Sequence, residues 1–427
     1  MRKRMRMVKS ELYFPIIIGL HFLMWAVALF LYDGPLTLGE GENPVQRILG
    51  EMMSSWVITV FGFNLLMTTR ARWVERIFGG LDKMYLIHRR AGVIAIVLLL
   101  LHFGIVPKLS EFTVGKPLGF AAMALILLGV MVSAAPLFKR RIAYHKWLSV
   151  HRLMGPFYVL GVCHAFLVPT LISRLPLVRA YVFGMAFVGI VAWLYRVFLH
   201  LRVHPRIAYE VAAIRRFGGS VLELEMAPVG APMQFLPGQF AFFRFSGINP
   251  LEAHPFTVAS HPEEGRLRVV IKGSGDFTES LQTQAKEGQS VQVEGPYGHF
   301  TQRWSSSRRQ VWVAGGIGIT PFLSFAQDLK DSEREVALYW TVRTKQEACF
   351  DDELRDLAEC TPGLTYYLWL SNNDGRLTAD AMAETMQADD LDVFICGTEA
   401  LRDSLTDQLH VIGVPSRNIH SEEFSFR

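Results

Sequence analysis

Six apolar blocks fill the first half of this 427-residue chain, and they constrain its fold more than any other feature. They lie near residues 12–32, 52–69, 86–106, 118–138, 150–171 and 178–201. A helix needs ~20 mostly apolar residues to cross a ~30 Å hydrocarbon layer, because each residue rises ~1.5 Å. The second block, which is short and carries Ser54, Ser55, Thr59 and Asn64, meets this requirement least well. We therefore predict an all-α bundle of six membrane-spanning helices.

The loops between the blocks differ in charge. The first ten residues and the loops after the second, fourth and sixth blocks are basic, whereas the loop at 33–51 is mainly acidic. Lysine and arginine are enriched in cytoplasmic loops. We expect a multi-pass protein of the inner (plasma) membrane with both termini cytoplasmic, and no nucleic-acid partner. A cleaved signal peptide over the first block is the alternative, and it would leave five spans.

Two of the predicted spans each carry two histidines. His88 and His102 lie on the third span, and His151 and His164 lie on the fifth. Ligating side chains are costly inside a membrane and indicate function. A separation of fourteen residues gives ~21 Å and a rotation of roughly −40°, so the first pair shares a helix face. A separation of thirteen gives roughly −140°, so the second pair needs the bend that Pro156 can supply.

The third and fifth spans run in the same direction, which pairs the histidines by depth. His88 is expected to meet His151 near the cytoplasm, and His102 to meet His164 near the outer face. Zinc would need four ligands at each level, whereas haem supplies four nitrogens of its own and needs only axial ligands. The four cysteines form no CxxC or CxxCH motif, which argues against thiolate metal sites and covalent haem. We predict two b-type haems; hydrogen bonding at the headgroup level is the alternative for each histidine.

Arginine follows both inner histidines. Arg89 and Arg152 are candidates for binding haem propionates, although cytoplasmic loop charge explains them equally well. The other histidines of this half, His21, His145 and His200, have no partner at a matching depth. We interpret these three as interfacial.

The second half has the pattern of a water-soluble protein. Short β-rich segments from about residue 207 favour an antiparallel barrel, and strand–glycine–helix repeats after 309 favour a parallel sheet covered by helices. The predicted domains are therefore 1–204, 205–306 and 307–427. "AGGIGITPF" at 314–322 follows a strand and opens a helix, so its glycines could admit a diphosphate to the helix N-terminus. A simple tight turn is the alternative.

Five motifs of this half occur together in a recognisable order. They are "HPFTVAS" (254–260), "GDFTESL" (275–281), "GPYGHF" (295–300), "GGIGITPF" (315–322) and "FICG" (394–397). They resemble the flavin and nicotinamide motifs of ferredoxin-NADP reductase-like modules, specifically those of NADPH oxidases and ferric reductases. The histidine pairs resemble the transmembrane domain of the same superfamily. The resemblance implies a six-helix membrane bundle joined to a cytoplasmic module with an antiparallel β-barrel FAD domain and an α/β nucleotide-binding domain.

The resemblance also implies roles for individual residues. The expected flavin-binding residues are His254, Pro255, Phe256, Thr257 (near flavin N5), Lys272 and, for the pyrophosphate, Gly275, Asp276, Phe277 and Thr278. The expected nicotinamide-nucleotide residues are Gly316, Gly318 and Thr320 at the diphosphate, and Cys396 and Gly397 at the nicotinamide. Phe424 matches an aromatic that stacks on the flavin, with Phe426 as the alternative. Phe157 matches an aromatic between the haems, with ordinary packing as the alternative.

Two arginines and a serine after the later strands bear on the choice of coenzyme. Arg343, Ser371 and Arg376 are positioned for a 2′-phosphate, which favours NADPH over NADH.

The implied activity is that of a transmembrane NADPH oxidase, which passes electrons from NADPH through FAD and two haems to external oxygen and forms superoxide. The alternatives are a ferric-chelate reductase, an electron conduit to a partner protein or quinone, and a haem-binding scaffold with a degenerate reductase half. No EF-hand calcium loop is present in the sequence. We expect a constitutively active enzyme without an obligatory regulatory subunit.

Overall fold

The computed structural model describes residues 10–108, 113–134, 144–218, 220–249, 252–329, 332–385 and 391–423. The chain forms two compact units, Met1–Val203 and His204–Arg427. The first is helical and the second combines two sheets with helices. The expected fold class is confirmed.

The first unit is a helical bundle. Its helices are α1 (Ser10–Phe30), α2 (Pro44–Thr68), α3 (Arg72–Phe78), α4 (Leu81–Ile105), α5 (Gly115–Ala134), α6 (Tyr144–His151), α7 (Met154–Leu167) and α8 (Pro176–Leu194). Helix α8 continues through a π-turn, Tyr195–Leu199, and a last turn, His200–Val203. Within the described residues, the helices long and apolar enough to cross a membrane are Pro44–Thr68, Lys83–Ile105, Gly115–Val132 and Pro176–Val203.

Helix α2 differs most from its sequence-based prediction. It begins at Pro44, inside the expected loop, because the Asn43 side chain accepts hydrogen bonds from the N–H groups of Val45 (2.9 Å) and Gln46 (3.3 Å). Although it was the weakest expected span, 67% of its apolar window is buried inside the protein. Its polar residues therefore face neighbouring helices, and Thr59 Oγ1 donates to Tyr181 OH at 3.0 Å.

Small residues bring α2 and α8 together. A Cβ added at Gly189 would lie 2.9 Å from Gly62 Cα and 2.7 Å from the Tyr158 ring. The Tyr158 hydroxyl, at the centre of this contact, donates to Ile58 O (3.1 Å). Without a hydrophobic driving force between helices in lipid, close packing and buried hydrogen bonds of this kind hold a bundle together.

The second unit begins with a curled antiparallel sheet. Its strands are β1 (Ile207–Phe217), β2 (Val221–Pro228), β3 (Phe240–Phe245), β4 (His254–Thr257), β5 (Leu267–Lys272) and β6 (Ser290–Tyr297), in the order β4-β3-β6-β1-β2-β5. A bridge between Val258 and Val269 joins the two edges, and the barrel encloses an apolar core. Helix α9 (Asp276–Gln284) buries Phe277 and Leu281 against it.

The rest of the second unit is built on a parallel sheet. Its strands are β7 (Arg309–Gly315), β8 (Glu335–Val342), β9 (Leu364–Leu370), β10 (Leu391–Gly397) and β11 (Ile419–Glu423). Helices α10 (Thr320–Gln327) and α11 (Asp351–Cys360) cover one face, and α12 (Glu399–Val411) covers the other. The strands lie in the order β9-β8-β7-β10-β11. The chain therefore adds strands on one side of β7 up to β9 and on its other side from β10, and such sheets bind ligands at this switch point between β7 and β10.

Candidate functional sites in the two units

The inner histidine pair predicted from the sequence is brought together. The rings of His88 on α4 and His151 at the end of α6 have centroids 6.0 Å apart and planes inclined at 77°. Two metal–nitrogen bonds of ~2 Å, with ~1.1 Å from each nitrogen to its ring centroid, would require ~6.2 Å. The separation of this pair therefore fits axial ligation of one haem.

The outer pair is oriented by backbone carbonyls. His102 Nδ1 lies 2.8 Å from Gly50 O, and His164 Nδ1 lies 2.9 Å from Gly115 O. A carbonyl oxygen only accepts, so each Nδ1 carries the proton and each Nε2 keeps a free lone pair. A metal-binding histidine usually donates its other ring N–H in this way. Both histidines therefore present an Nε2 atom that could bind a metal.

Glycines make room for these rings and carbonyls. A Cβ added at Gly119 would lie 2.5 Å from His164 Nδ1, and one at Gly50 would lie 2.7 Å from Val106 Cα. Sequence reasoning missed Gly50, Gly115 and Gly119. Only Gly119 lies inside a predicted apolar block, whereas Gly50 and Gly115 lie just before one. Which carbonyl meets which ring depends on helix packing.

The fifth span is interrupted between its two histidines. Helix α6 ends at His151 and α7 begins at Met154. Pro156 has no N–H to donate to the carbonyl of Arg152, four residues earlier, and the helix breaks at that turn. The sequence predicts a kink at this position, and the structure has a break between two helices. Because His151 and His164 lie on different helices, they need not share the face of one straight helix.

The other predicted residues of the membrane unit are placed as follows. Arg89 and Arg152 have exposed side chains, and Phe157 is partly buried where α5 meets α7. The interfacial interpretation of His21 is wrong: the residue is 2% exposed, and its Nε2 lies 3.0 Å from Ser55 Oγ. His200 is also buried, and the side chain of His145 lies outside the described residues.

In the barrel, the two predicted flavin segments meet. The His254 and Phe277 rings stack with centroids 3.6 Å apart and planes at 12°, and His254 Nε2 lies 3.0 Å from Glu252 Oε2. Thr257 is buried at the end of β4, while Pro255 and Phe256 are partly buried and Lys272 is exposed. "HPFT" and "GDFT" therefore line one region of the barrel.

The start of α9 has a different hydrogen-bond pattern from the one expected. Thr278 Oγ1 accepts from the N–H groups of Ser274 (2.9 Å) and Gly275 (3.1 Å). The expectation that the Gly275 N–H serves a phosphate is therefore not met in this arrangement. The N–H groups of Asp276, Phe277 and Thr278 belong to the first helical turn, where no intrahelical acceptor exists.

The nicotinamide-nucleotide segments converge at the switch point of the parallel sheet. Gly316 has a φ of +53°, and a Cβ added at Gly318 would lie 2.2 Å from Cys396 O. A Cβ at Gly397 would lie 3.1 Å from Gly315 Cα, so the ends of β7 and β10 touch through glycine backbone. Residues Gly316–Ile319 form a 3₁₀ turn that runs directly into helix α10 at Thr320, so the open N–H groups lie at the glycines and could receive a diphosphate there.

Cys396 contributes its carbonyl rather than its thiol to this junction. The side chain is fully buried, and burial together with the charge of Glu422 raises the thiol pKa well above its usual value. The thiol is therefore unsuited to act as a nucleophile. Phe424 and Phe426 lie outside the described residues.

The residues predicted for a 2′-phosphate share one sheet edge, because β8 and β9 are parallel neighbours. Asn372 N–H donates to Arg343 O at 3.3 Å, which places Ser371 beside Arg343. Arg376 follows one turn later, and its side chain is exposed. Sequence reasoning missed Glu347, whose Oε1 lies 3.5 Å from Arg343 Nε and competes for that guanidinium.

Known families match all three parts of the chain. Residues 53–162 match a ferric reductase like transmembrane component, residues 206–301 an FAD-binding domain, and residues 312–407 an oxidoreductase NAD-binding domain. A flavohemoglobin from Malassezia yamatoensis, solved with FAD and heme, superposes with a TM-score of 0.53 at 19% identity. The alignment covers 89% of this chain and 97% of that one, and it shows the fold alone.

Several curated proteins are similar over part of their length. Methane monooxygenase component C of Methylosinus trichosporium is 34% identical over 39% of this chain and 51% of its own length. NADPH oxidase 1 of Rattus norvegicus is 31% identical over 40% of this chain and 34% of its own. The reductase component of the naphthalene 1,2-dioxygenase system of Pseudomonas putida is 27% identical over 45% of this chain and 61% of its own length.

The chain thus spans only 34% to 61% of the length of these relatives. The transmembrane match and both nucleotide-domain matches occur in one chain, and NADPH oxidase 1 is among its relatives. This combination of a ferric reductase like transmembrane component with FAD-binding and oxidoreductase NAD-binding domains matches the family of NADPH oxidase-like ferric reductases.

Proposed function

We propose that the protein is a transmembrane NADPH oxidase, which passes electrons from cytoplasmic NADPH through FAD and two b-type haems to external oxygen and forms superoxide. The observation that carries the proposal is the pair of histidine sites. His88 and His151 lie close enough together to hold one haem between them, and His102 and His164, whose Nδ1 atoms are bonded to carbonyls, could hold a second through Nε2. Two such sites on the same two spans favour electron transfer across the membrane over isolated structural histidines.

The cofactors explain why both halves of the chain are needed. When bound, FAD would supply a carrier that exchanges two electrons with a nicotinamide and single electrons with a haem. In the barrel, the residues around the His254–Phe277 stack would hold FAD, with Thr257 at the end of β4 near its reactive edge. At the sheet switch point, Gly316 and Gly318 would hold the coenzyme diphosphate, and the backbone at Cys396 and Gly397 would border the nicotinamide.

The proposal also includes the orientation of the protein in the membrane and its choice of NADPH as coenzyme. The basic loops support an inner (plasma) membrane location with both termini cytoplasmic. Arg343, Ser371 and Arg376 support NADPH, since a 2′-phosphate favours arginine. Arg89 and Arg152 would bind propionates, Phe157 would lie between the haems, and Phe424 would stack on the flavin.

The acceptor is tested with the purified, FAD- and haem-loaded protein. We expect NADPH to drive reduction of a reporter such as cytochrome c without any added partner, and superoxide dismutase to suppress most of the signal. Rapid reduction of a ferric chelate or a quinone with negligible oxygen consumption would instead favour the reductase or conduit function. NADH as the preferred donor would overturn the coenzyme assignment.

The haem sites are tested separately. Replacement of His102 or His164 by Ala should remove one of the two haems, because each iron loses an axial ligand, while NADPH still reduces the flavin. His21→Ala is a control, since that buried histidine is bonded to Ser55 and is not a proposed ligand. An unchanged haem content in both variants would refute the pairing.

A further inference from the structure

Two buried contacts connect the barrel to the parallel-sheet domain within the second unit. The first joins Ser324 to Ser260, both fully buried: Ser324 Oγ donates to Ser260 O at 2.7 Å. Ser260 lies three residues after Thr257, the end of β4, and Ser324 is on α10, which opens at the glycine turn. One hydrogen bond therefore ties the proposed flavin segment to the proposed nucleotide helix.

The second contact is a charged one. Arg268 on β5 donates to Glu223 Oε2 of its own barrel (2.9 Å) and to both carboxylate oxygens of Glu353 on α11 (2.6 and 2.7 Å). Its guanidinium also lies 5.2 Å from the centroid of the Phe350 ring, just before α11. A bidentate arginine–carboxylate pair fixes direction as well as distance.

The two contacts are themselves joined. Arg268 N–H donates to Ser260 Oγ at 3.1 Å, and Ala259 N–H donates to Arg268 O at 2.8 Å. We call Ser260, Ser324, Arg268 and Glu353 the interdomain clamp. It is continuous from the strand that ends at Thr257 to both helices on one face of the parallel sheet.

The chemistry of the clamp argues for more than stability. Arg268 and Glu223 are almost fully buried, and burying charge costs desolvation that the ion pair often does not recover. An apolar contact would hold two domains together at least as well. What a bidentate pair adds is a defined relative position of the two groups that it joins.

We propose that the interdomain clamp positions the nicotinamide against the flavin for hydride transfer, an inference that rests on the function proposed above. The hydride carries two electrons and one proton from NADPH, which is oxidised to NADP⁺, to FAD, which is reduced. In this proposal the clamp residues are positioning residues, which act through the two domains that they join. Transfer rates are sensitive to such placement, and a displacement of ~1 Å can reduce a rate by ~100-fold.

The test uses the full-length, FAD-loaded protein in detergent without oxygen. Flavin reduction by NADPH is followed by stopped-flow absorbance over a range of NADPH concentrations, which separates the rate constant from the Kd. The variants are Glu353→Gln, Ser324→Ala and the double variant. Glu335→Gln is the matched control, because it weakens an exposed ion pair with Arg309 that lies wholly within the parallel-sheet domain.

We expect the reduction rate constant to fall about tenfold in Glu353→Gln and further in the double variant. The Kd for NADPH and the FAD content should stay within twofold of the wild type, and the control should match the wild type. NADPH deuterated at the transferred position should react more slowly in each variant, which shows that hydride transfer is the step measured.

The outcomes are distinguishable. If NADPH does not reduce the flavin of the wild-type protein, the proposed function fails and the clamp proposal fails with it. If the wild type is reduced and the double variant is reduced equally fast, only the clamp proposal is overturned. It is also overturned if the slowing merely follows a lost FAD content or a weaker Kd, because the contacts would then be structural.

Discussion

Replacing Gly119 by Ala tests the outer histidine site directly. An added Cβ would lie 2.5 Å from Nδ1, 2.7 Å from Cε1 and 2.8 Å from Cγ of His164. Favourable non-bonded contacts between heavy atoms lie near ~3.5–4.0 Å, so the ring must move by roughly 1 Å. That movement would break the 2.9 Å hydrogen bond from His164 Nδ1 to Gly115 O, which fixes the ring orientation.

The expected loss follows from two effects. Overpacking a well-packed site costs about 1–3 kcal/mol, and losing the partner that orients a metal-binding histidine weakens metal affinity by about 10–100-fold. We therefore expect Gly119→Ala to lose most of one haem while the flavin is reduced by NADPH at the wild-type rate. Haem per chain is measured by pyridine haemochrome absorbance and the remaining haem by potentiometric titration.

Gly161→Ala is the matched control for this prediction. It makes the same change on the helix that carries His164, at a position with nothing within 4 Å of the added Cβ. It should keep both haems. The reasoning is refuted if Gly119→Ala also retains two haems per chain at unchanged midpoint potentials.

Three further predictions concern the second unit. Gly318→Ala places a Cβ 2.2 Å from Cys396 O. An overpacking cost of about 1–3 kcal/mol should raise the Kd for NADPH by roughly 5- to 150-fold without loss of FAD. An unchanged Kd would contradict the requirement for glycine at this position. Burial alone would raise the pKa of Asp392, but the neighbouring His420 imidazole and the hydrogen bond donated by the Ser305 hydroxyl outweigh burial and lower it. The stability that Asp392 contributes is therefore complete above about pH 4 and is lost as the pH falls through its folded-state pKa. The difference in melting temperature between wild type and Asp392→Asn, measured by flavin fluorescence, should therefore be smaller at pH 3 than at pH 5. An equal difference at both pH values would contradict this sign. Iodoacetamide at neutral pH should modify exposed Cys360 and spare fully buried Cys396, as read by peptide mass spectrometry, and rapid modification of Cys396 in the folded protein would contradict its burial.

The sequence by itself determined the broad organisation and the candidate ligands. Apolar blocks of membrane length predict helices because a bilayer leaves the backbone no other partner, and strand alternation with glycine turns predicts the barrel and the parallel sheet. Spacing alone placed His88 and His102 on one face of α4. The glycine turn at 315–318 likewise predicts a binding position at the end of β7.

Contacts between distant segments were decided only by the tertiary structure. Burial gave α2 its central position despite its polar residues, because Ser55 and Thr59 find partners on other helices rather than facing lipid. Likewise, Gly50 and Gly115 reach His102 and His164 across 52 and 49 residues. Hydrogen bonds of that kind depend on how helices cross, and helix crossing is set by packing across the whole bundle rather than by local sequence pattern.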